Sequence, residues 1–444
     1  MPCASNVSQL QGTGKLAPTA AGGRRDAILP SVPRSVVILG AGPAGASLAA
    51  HLRRGPDAPE VVLFDPGTRP ELVVGESLVP AVIPFLSALG VEKEVASYSM
   101  HKPGAIFRFD PETLLAFRFD EVRGAFSEYA YNVPRDRFDR TLLEAALRSG
   151  ARLVRSRARL ERDGSGDRVR LSEESLEQSG LSRPPDFIVD AGGRGRSLAR
   201  LLDLPTTRGD RRDTALHAHL EGVELIRPGD IHTDRLSHGW SWRIPLPGRV
   251  SLGLVMDPAA LAEFGGDPES QYDAYLRHEP MFGDWGATAK RITPVLKYTN
   301  YQLRSERGVG ENWALVGDAF GFVDPVFSSG MLIALDGAWS LARALRGGGG
   351  PRELADYETR VQRQLACWHR VVGWFYDGRL FTLFKLGDEL RGRFPWSLLE
   401  FHFGKHFPRV VTGEATTNPY SLGLLDFMVH HGLRDNDPQE LAVR

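Results

Sequence analysis

Three glycines and an aspartate near the start of the chain have the spacing of a dinucleotide-binding site. Gly40, Gly42 and Gly45 form a GxGxxG pattern directly after an apolar run of β-branched residues. Asp65 follows Gly45 by 20 residues and ends a second apolar run. Such a turn brings backbone N–H groups and a helix N-terminus to a pyrophosphate, while the acid binds a ribose hydroxyl. The sequence therefore predicts a βαβ unit that binds one nucleotide cofactor.

Lysine is rare in this chain, so a lysine near a motif is a candidate for chemistry. The chain has 54 lysines and arginines, of which 7 are lysines. Lys102 lies 26 residues after Glu76, which belongs to the sequence Gly75–Ser77. An apolar environment lowers the pKa of an amine to where it can exchange a proton or act as a nucleophile, whereas arginine stays charged. The alternative is a solvated surface amine, and Lys93 is the nearest lysine that could take the role instead.

A tryptophan-rich motif lies in a predicted strand near the middle of the chain. The stretch GWSWRIPL contains WxWxIP, formed by Trp240, Trp242, Ile244 and Pro245. Alternation along a strand puts the two tryptophans on the same face. They are either part of a site or ordinary core aromatics.

Composition excludes several classes of function. The formal net charge is −1, from 54 basic and 55 acidic residues, which favours neither nucleic acid nor an anionic membrane as a partner. The sequence shows no apolar run of membrane-spanning length and no signal-peptide pattern, so we expect a cytoplasmic protein. Cys3 and Cys367 have no metal-ligand spacing, and we expect neither a disulfide nor a metal site.

The pattern of elements predicts an α/β protein with two sheets. Phe187–Asp190 repeats the strand-to-glycine pattern and should return to the first sheet, while alternating segments in 104–132 and 210–300 predict antiparallel strands. Ser77 is interpreted as the cap of an apolar helix that Pro80 and Pro84 open or bend. The predicted organisation is a flexible tail at 1–33, a nucleotide-binding domain built from 34–100, 133–200 and 305–350, an inserted sheet from 101–132 and 201–304, and a helical region at 351–444.

Several separated motifs together resemble the flavoproteins related to p-hydroxybenzoate hydroxylase. They are GAGPAG with Asp65, the turn at Asp186–Ala191, the RxxFD sequence at Arg135, and GDAFGFVDP at 317–325. The resemblance spans about 34–345 and implies an FAD-binding Rossmann-like domain with an inserted antiparallel β-sheet that binds substrate. By resemblance, FAD is held by Gly40, Gly42, Ala44, Gly45, Asp65, Glu76, Ser77, Arg135, Asp318, Gly330 and Met331.

Within that group, WxWxIP and Lys102 resemble the flavin-dependent halogenases. The resemblance implies that FADH2, O2 and chloride or bromide give hypohalous acid, which reaches a separate substrate pocket where Lys102 acts on it. Ser328, Ser329 and Gly330 would hold the halide through backbone N–H groups at a helix start. Trp240 and Trp242 would keep the organic substrate away from the flavin.

One departure from the halogenase pattern bears on the substrate. Tryptophan halogenases carry a glutamate just before the Ser/Thr-Gly of this turn, and Phe327 precedes Ser328 here. We therefore expect an electron-rich phenolic or pyrrolic substrate, free or tethered to a carrier protein. The resemblance, together with the single dinucleotide motif of the sequence, implies that a separate NAD(P)H-dependent flavin reductase supplies FADH2. The alternatives are an FAD-dependent aromatic monooxygenase of the same fold and a flavoprotein resembling geranylgeranyl reductases.

Overall fold

The computed structural model describes most of the chain. The described residues are 32–68, 72–122, 125–164, 166–389, 405–414, 416, 418–433 and 437–443. The flexible tail predicted for 1–33 lies outside them except for its last two residues. Within these ranges no helix is both long enough and apolar enough to cross a membrane.

The strands form two main sheets and two small ribbons. They are β1 Ser35–Leu39, β2 Glu60–Phe64, β3 Met100–Lys102, β4 Gly104–Arg108, β5 Leu114–Arg118, β6 Ala130–Asn132, β7 Arg152–Val154, β8 Leu160–Arg162, β9 Val169–Leu171, β10 Phe187–Asp190, β11 Thr206–Glu221, β12 Ile231–Leu236, β13 Gly239–Leu246, β14 Arg249–Met256, β15 Lys290–Arg291, β16 Leu296–Ser305, β17 Trp313–Leu315 and β18 Gly321–Phe322.

The first sheet is parallel, and the glycine turn lies at the carboxyl end of its central strand, β1. Its order is β17-β10-β1-β2-β7, and the pairing of Val36 with Phe187 confirms that β10 returns to this sheet. Gly40 follows β1 with a φ of +95°, and a Cβ there would lie 2.6 Å from Ala191 O, directly after β10. Only glycine allows this approach. The carboxyl ends of β1 and β10 thus form a crevice of the kind where α/β folds bind nucleotides.

The second sheet has nine strands and is largely antiparallel. Its main path is β18-β16-β11-β14-β13-β12-β4-β5, with β15 pairing to β11 and one parallel pair between β12 and β4. The predicted antiparallel pairing near the start of this region is confirmed for β4 and β5. The stretch ending at β6 was expected in the same sheet, but β6 pairs with β3 in a separate ribbon. That ribbon places Lys102 opposite Ala130.

Helices cover the sheets and fill the C-terminal region. They are α1 Pro43–Leu52, α2 Ile83–Leu89, α3 Glu92–Tyr98, α4 Arg135–Arg148, α5 Glu173–Ser179, α6 Ser197–Leu201, α7 Pro258–Ala262, α8 Pro268–His278, α9 Gly283–Thr288, α10 Gly330–Arg346, α11 Pro351–Tyr376, α12 Arg379–Glu389, α13 405–411 and α14 Pro419–His431. Helices α1 and α10 pack together beside the parallel sheet. The predicted α/β fold is confirmed.

The interpretation of Ser77 as a helix cap is wrong. A 3-10 turn at Pro80–Val82 precedes α2, whose N-cap is Val82 and has no side-chain cap bond. Ser77 instead forms an isolated bridge with Asn132, and its hydroxyl accepts a hydrogen bond from Lys102. The two prolines displace the helix start, so Ser77 is left on extended backbone where its side chain is free for another partner.

Candidate active site

A cavity of about 690 Å³ runs from the glycine turn to the tryptophan strand β13. This volume lies within the range of about 300–1,000 Å³ typical of cofactor and ligand sites. The predicted site residues that line it are Gly40, Gly42, Ala44, Asp65, Ser77, Arg135, Trp240, Trp242, Ile244, Asp318, Ser328, Gly330 and Met331. Residues that lie up to about 290 positions apart in the sequence are thus brought to one cavity, as a single cofactor site requires.

The glycine turn fits a pyrophosphate. Gly42 is the N-cap of α1, and a Cβ built on it would meet no atom within 4 Å, so open space faces the helix start. Asp65 Oδ2 accepts from the N–H of Ala41 over 2.8 Å, and Oδ1 accepts from the N–H of Gly67. The carboxylate therefore fixes the turn and also lines the cavity where a ribose would lie. Gly45 does not line this cavity, and it allows α1 to pack, since its Cβ would lie 2.0 Å from Gly40 O.

Two arginines and a half-buried aspartate line the cavity. Arg135 forms an ion pair with Asp139 at 3.0 Å and donates to Val74 O. Arg194, which we did not single out from the sequence, lies over the ring of Phe322 at 3.8 Å. Burial raises the pKa of Asp318, and the charges of Arg194 and Arg135 offset this in part. This group of charges suits the polar parts of a flavin nucleotide, so the residues present fit FAD.

The turn before α10 has the geometry of an anion site. Ser328 adopts a left-handed conformation with a φ of +56°, and Ser329 is the N-cap of this 17-residue helix. The first N–H groups of a helix have no partner within the helix and carry partial positive charge. Ser329 is fully buried, and its hydroxyl oxygen has no hydrogen-bond partner among the described residues. This buried hydroxyl therefore lies between Ser328 and Gly330, which line the cavity, whereas Ser329 itself does not and the N–H of Ser328 donates to Pro325 O.

Phe327 belongs to the core rather than to the cavity. Its ring packs against Phe107, Trp368 and Phe375 at centroid distances of 5.8, 6.3 and 5.9 Å. The position held by a glutamate in tryptophan halogenases therefore offers no carboxylate here.

The two tryptophans form one wall of the cavity and are held by hydrogen bonds. Trp240 Nε1 donates to the hydroxyl of Tyr376 over 2.8 Å, and this hydroxyl donates to Asp324 Oδ2 over 2.7 Å. Trp242 Nε1 donates to Ser251 Oγ over 3.2 Å. Asp324 also accepts from the N–H of Val326 in the turn before α10. Tyr376 thus links β13 to the turn before α10. Pro245 pairs with Val250 of β14 and does not line the cavity.

Lys102 lies directly behind the cavity wall. Its Nζ donates to Ser77 Oγ and to Leu78 O, both over 2.8 Å, and lies 5.4 Å from the centroid of the Phe119 ring. The residue is 2% exposed, and burial lowers its pKa to about 7, while the charge of Asp230 acts in the opposite direction. Ser77 lines the cavity, so one side chain separates the amine from the space proposed for the flavin.

Glu76 occupies a different environment from its neighbour Ser77. Its carboxylate contacts His219 Nε2 at 2.9 Å and His217 Nε2 at 3.4 Å, and all three residues are buried. Burial alone would raise the pKa of Glu76. Hydrogen bonds from the two histidines, and their charges, lower this pKa by more than burial raises it, so the net shift is downward. Glu76 and His219 line a second cavity of about 600 Å³ that shares Asp65 and Arg135 with the first. Glu76, His217 and His219 are of residue types that bind metals, and one potential ligand atom of each lies within 4.8 Å of the other two. The sequence did not lead us to either histidine.

The residues missed by sequence reasoning are partners of the predicted ones. Each of these residues lies far along the chain from the motif residue that it contacts or influences. They are Tyr376 beside Trp240, Arg194 near Asp318, Asp230 near Lys102, and His217 and His219 beside Glu76. The alternation in β11 that puts His217 and His219 on one face was the single available signal. The others belong to no spaced motif, and only the fold brings them to the site.

Comparison with known proteins identifies the family. The family model described as tryptophan halogenase matches residues 35–110 and 116–380. Tryptophan 2-halogenase of Chondromyces crocatus is 28% identical over 359 residues, covering 77% of this chain and 67% of the relative. The 1H-pyrrole-2-carbonyl-[peptidyl-carrier protein] chlorinase of Pseudomonas fluorescens is 25% identical over 383 residues, covering 79% of this chain and 85% of the relative. The matched region spans 64% of the flavin-dependent halogenase armH4 of Armillaria mellea.

Solved structures agree with this identification. The myxobacterial chondrochloren halogenase CndH, described as FAD-dependent, superposes with a TM-score of 0.67 at 25% identity, covering 94% of this chain and all of that one. The flavin-dependent brominase Bmp2 shares the fold, with a TM-score of 0.74 at 20% identity over 90% of this chain and 99% of the brominase. The predicted resemblance is confirmed, and the chain belongs to the tryptophan halogenase family of flavin-dependent enzymes.

Proposed function

We propose that this protein halogenates an electron-rich aromatic ring, phenolic or pyrrolic, using FADH2, O2 and chloride or bromide. The observation that carries the proposal is the buried amine of Lys102, which contacts Ser77 on the wall of the predicted FAD cavity. When bound, reduced FAD would react with oxygen and so supply the oxidising power that converts halide to hypohalous acid. Lys102 would then act on that acid, beyond the wall formed by Ser77.

The residues around the cavity would divide the remaining tasks. Gly40, Gly42 and Asp65 would hold the pyrophosphate and ribose of FAD, and Arg135 and Asp318 would contact its polar parts. Backbone N–H groups at Ser329 and Gly330 would bind the halide beside Ser328, whose own N–H donates to Pro325 O, since the start of a long helix favours an anion. The indoles of Trp240 and Trp242 would exclude the organic substrate from this cavity by their bulk.

The burial of Lys102 supports its role in halogenation. A pKa of about 7 leaves comparable amounts of ammonium and neutral amine near neutral pH. The ammonium can hydrogen-bond and orient hypohalous acid, whereas the neutral amine can be halogenated. A solvated amine near its ordinary pKa would be almost fully charged and strongly hydrated, so it would serve less well in either role.

The packing of Phe327 supports a substrate that needs little help from a base. A phenol or pyrrole is activated by its own heteroatom, whereas a benzenoid carbon of indole is less reactive. Similarity to a chlorinase whose name specifies a carrier-bound pyrrole supports including carrier-tethered rings among the candidates. A separate NAD(P)H-dependent flavin reductase would provide the reduced flavin, consistent with one dinucleotide motif in the sequence.

The proposal is tested by incubating the purified protein with FADH2, oxygen and either chloride or bromide. The substrates are a panel of phenols and pyrroles, each free and, where a carboxylate allows it, attached to a carrier protein. Mass spectrometry should detect product with the isotope pattern of one added halogen. A product that gains oxygen without halogen would favour the monooxygenase reading, and reduction of an isoprenoid double bond would favour the reductase reading.

A further inference from the structure

A second buried charge lies close to Lys102. Asp230 is 2% exposed and immediately precedes β12, whose first residue Ile231 pairs with Ala105. A Cβ on Gly104 would lie 3.1 Å from Asp230 Oδ1, so the carboxylate packs against the backbone two residues beyond Lys102. Oδ1 is buried, so this carboxylate depends on the backbone of Gly104 and on neighbouring cations for its stabilisation. A buried carboxylate is costly unless it is stabilised in this way, so its place beside the strand of Lys102 calls for a function.

The backbone that carries Asp230 is fixed against the strand of Lys102. Asn132 Nδ2 donates to Gly229 O over 3.0 Å, and Asn132 is also the bridge partner of Ser77. A Cβ on Gly229 would lie 2.5 Å from His101 O, which shows how closely the two segments approach. Asp230, Ser77 and Lys102 are therefore held in one rigid arrangement.

The charge state of Lys102 decides what it can offer to hypohalous acid. An ammonium has three N–H donors, and two of them are used by Ser77 Oγ and Leu78 O. The third donor is then available to orient the oxidant. A neutral amine has two N–H donors, both engaged by the same acceptors, and presents its lone pair instead. A nearby negative charge favours the first form.

We propose that Asp230 is a positioning residue whose carboxylate keeps Lys102 in its charged form, with one N–H donor free. This inference rests on the proposed role of Lys102 in halogenation. Asp230 acts through Lys102 and takes no part in bond making.

The electrostatic surroundings of both groups agree with this role. The charge of Asp230 raises the pKa of Lys102 against the larger effect of burial. Burial raises the pKa of Asp230 itself, while Arg227, Lys102 and Arg118 lower it. Arg227 and Arg118 thus help to keep Asp230 ionised, and Asp230 helps to keep Lys102 protonated.

The test reads the titration of Lys102 directly by NMR of protein labelled with 13C at lysine Cε. Only 7 lysines are present, and Lys102→Met assigns the signal. The wild-type midpoint should lie near 7, and Asp230→Asn should lower it by about one pH unit. Asp230→Ser provides a second neutral variant, and Asp230→Glu should restore the wild-type midpoint. Asp336→Asn is the matched control, because Asp336 is a buried carboxylate on α10 paired with Arg360.

Activity gives the second readout. In Asp230→Asn the rate of halogenation should fall about tenfold at pH 8. The alkaline limb of its pH–rate profile should move to lower pH by the same one pH unit. Asp336→Asn should leave the alkaline limb of the pH–rate profile unchanged. An unaltered Lys102 midpoint in the folded Asp230→Asn and Asp230→Ser proteins would overturn the inference. Because the titration needs no turnover, absence of product from the wild type would refute the proposed function without deciding the role of Asp230.

Discussion

Lys102 Nζ donates to Ser77 Oγ over 2.8 Å, and this contact joins a buried amine to the wall of the cavity. Ser77 lines the cavity that begins at the glycine turn, whereas Lys102 lies behind it, against Phe119. The contact arises because β3 pairs with β6, and β6 in turn lies beside Ser77 through Asn132. The amine is therefore close to the proposed flavin site yet separated from it, which agrees with the proposed role of Lys102 after halide oxidation.

Replacing Lys102 with methionine should abolish halogenated product and leave FAD binding nearly intact. Methionine retains the apolar length of the side chain but offers no N–H donor and no amine. Product is measured by mass spectrometry, and FAD affinity by flavin fluorescence. Lys93→Met is the matched control, since Lys93 is exposed on α3. Full halogenation by the Lys102 variant would refute its role, and joint loss of product and flavin binding would make it a cofactor contact.

Replacing Gly42 with leucine should prevent FAD binding without preventing folding. The φ of Gly42 is −71°, which any residue adopts, and a Cβ there meets no protein atom within 4 Å. The side chain would occupy the space proposed for the pyrophosphate. Circular dichroism should report a normal fold, and fluorescence titration should show loss of FAD affinity.

Gly45→Ala is the contrasting variant for this test. Its Cβ would lie 2.0 Å from Gly40 O, so it should destabilise the protein itself. FAD affinity of Gly42→Leu equal to that of the wild type would contradict the assignment of the site.

Sequence reasoning located the residues with local signatures and missed those fixed by long-range packing. Gly40, Gly42 and Asp65 were recognisable because strand, turn and acid lie within 30 residues of one another. Ser77 was misassigned because its partner, Lys102, is reached through the pairing of β3 with β6 rather than through helix capping. Such pairing of two three-residue strands has almost no periodic signal.

The C-terminal helices illustrate the same limit. The apolar spacing of α11 predicted a helix, but nothing in it showed that Tyr376 would contact Trp240 and Asp324. Asp230 likewise has no motif, and its relation to Lys102 exists only through the parallel pairing of β12 with β4. Contacts of this kind depend on which strands become neighbours, which local patterns do not specify.

Replacing Tyr376 with phenylalanine should reduce halogenation and destabilise the protein by about 1–3 kcal/mol. The change removes the buried hydroxyl that accepts from Nε1 of Trp240 and donates to Asp324. We expect the tryptophan wall and the turn before α10 to lose their fixed relation, so product per turnover of reduced FAD should fall.

Tyr357→Phe controls for the loss of stability alone. Tyr357 is also buried on α11, and its hydroxyl donates to Leu315 O over 2.6 Å, away from β13. Urea denaturation measures the loss of stability in each variant. If the two variants lose the same stability and the same fraction of product yield, Tyr376 has only a structural role.

NADH or NADPH alone should not support turnover. The sequence contains one dinucleotide motif, and the proposed site is assigned to FAD. Addition of a flavin reductase or of chemically reduced FAD should restore product. Rapid NAD(P)H oxidation by the isolated protein, accelerated by a phenol and followed by the loss of nicotinamide absorbance, would instead indicate a monooxygenase.

The stability of the protein should depend on pH through Lys102. Burial lowers the pKa of this amine to about 7 in the folded protein, whereas it returns to about 10.5 when the chain unfolds. Between these pKa values the unfolded state binds a proton that the folded state does not. The contribution of Lys102 therefore raises the free energy of unfolding as pH rises. The slope is at most about 1.4 kcal/mol per pH unit.

Comparing the wild type with Lys102→Met isolates this contribution, since methionine does not titrate. The variant should be the more stable protein near pH 7, because it removes the cost of a buried charge, and its advantage should shrink as pH approaches 10. Urea denaturation at pH 7, 8 and 9 measures the difference in unfolding free energy. Lys93→Met should show no such trend, because that amine is exposed in the folded protein. A difference between wild type and Lys102→Met that is constant across this range would show that Lys102 titrates in the folded protein as an ordinary solvated lysine.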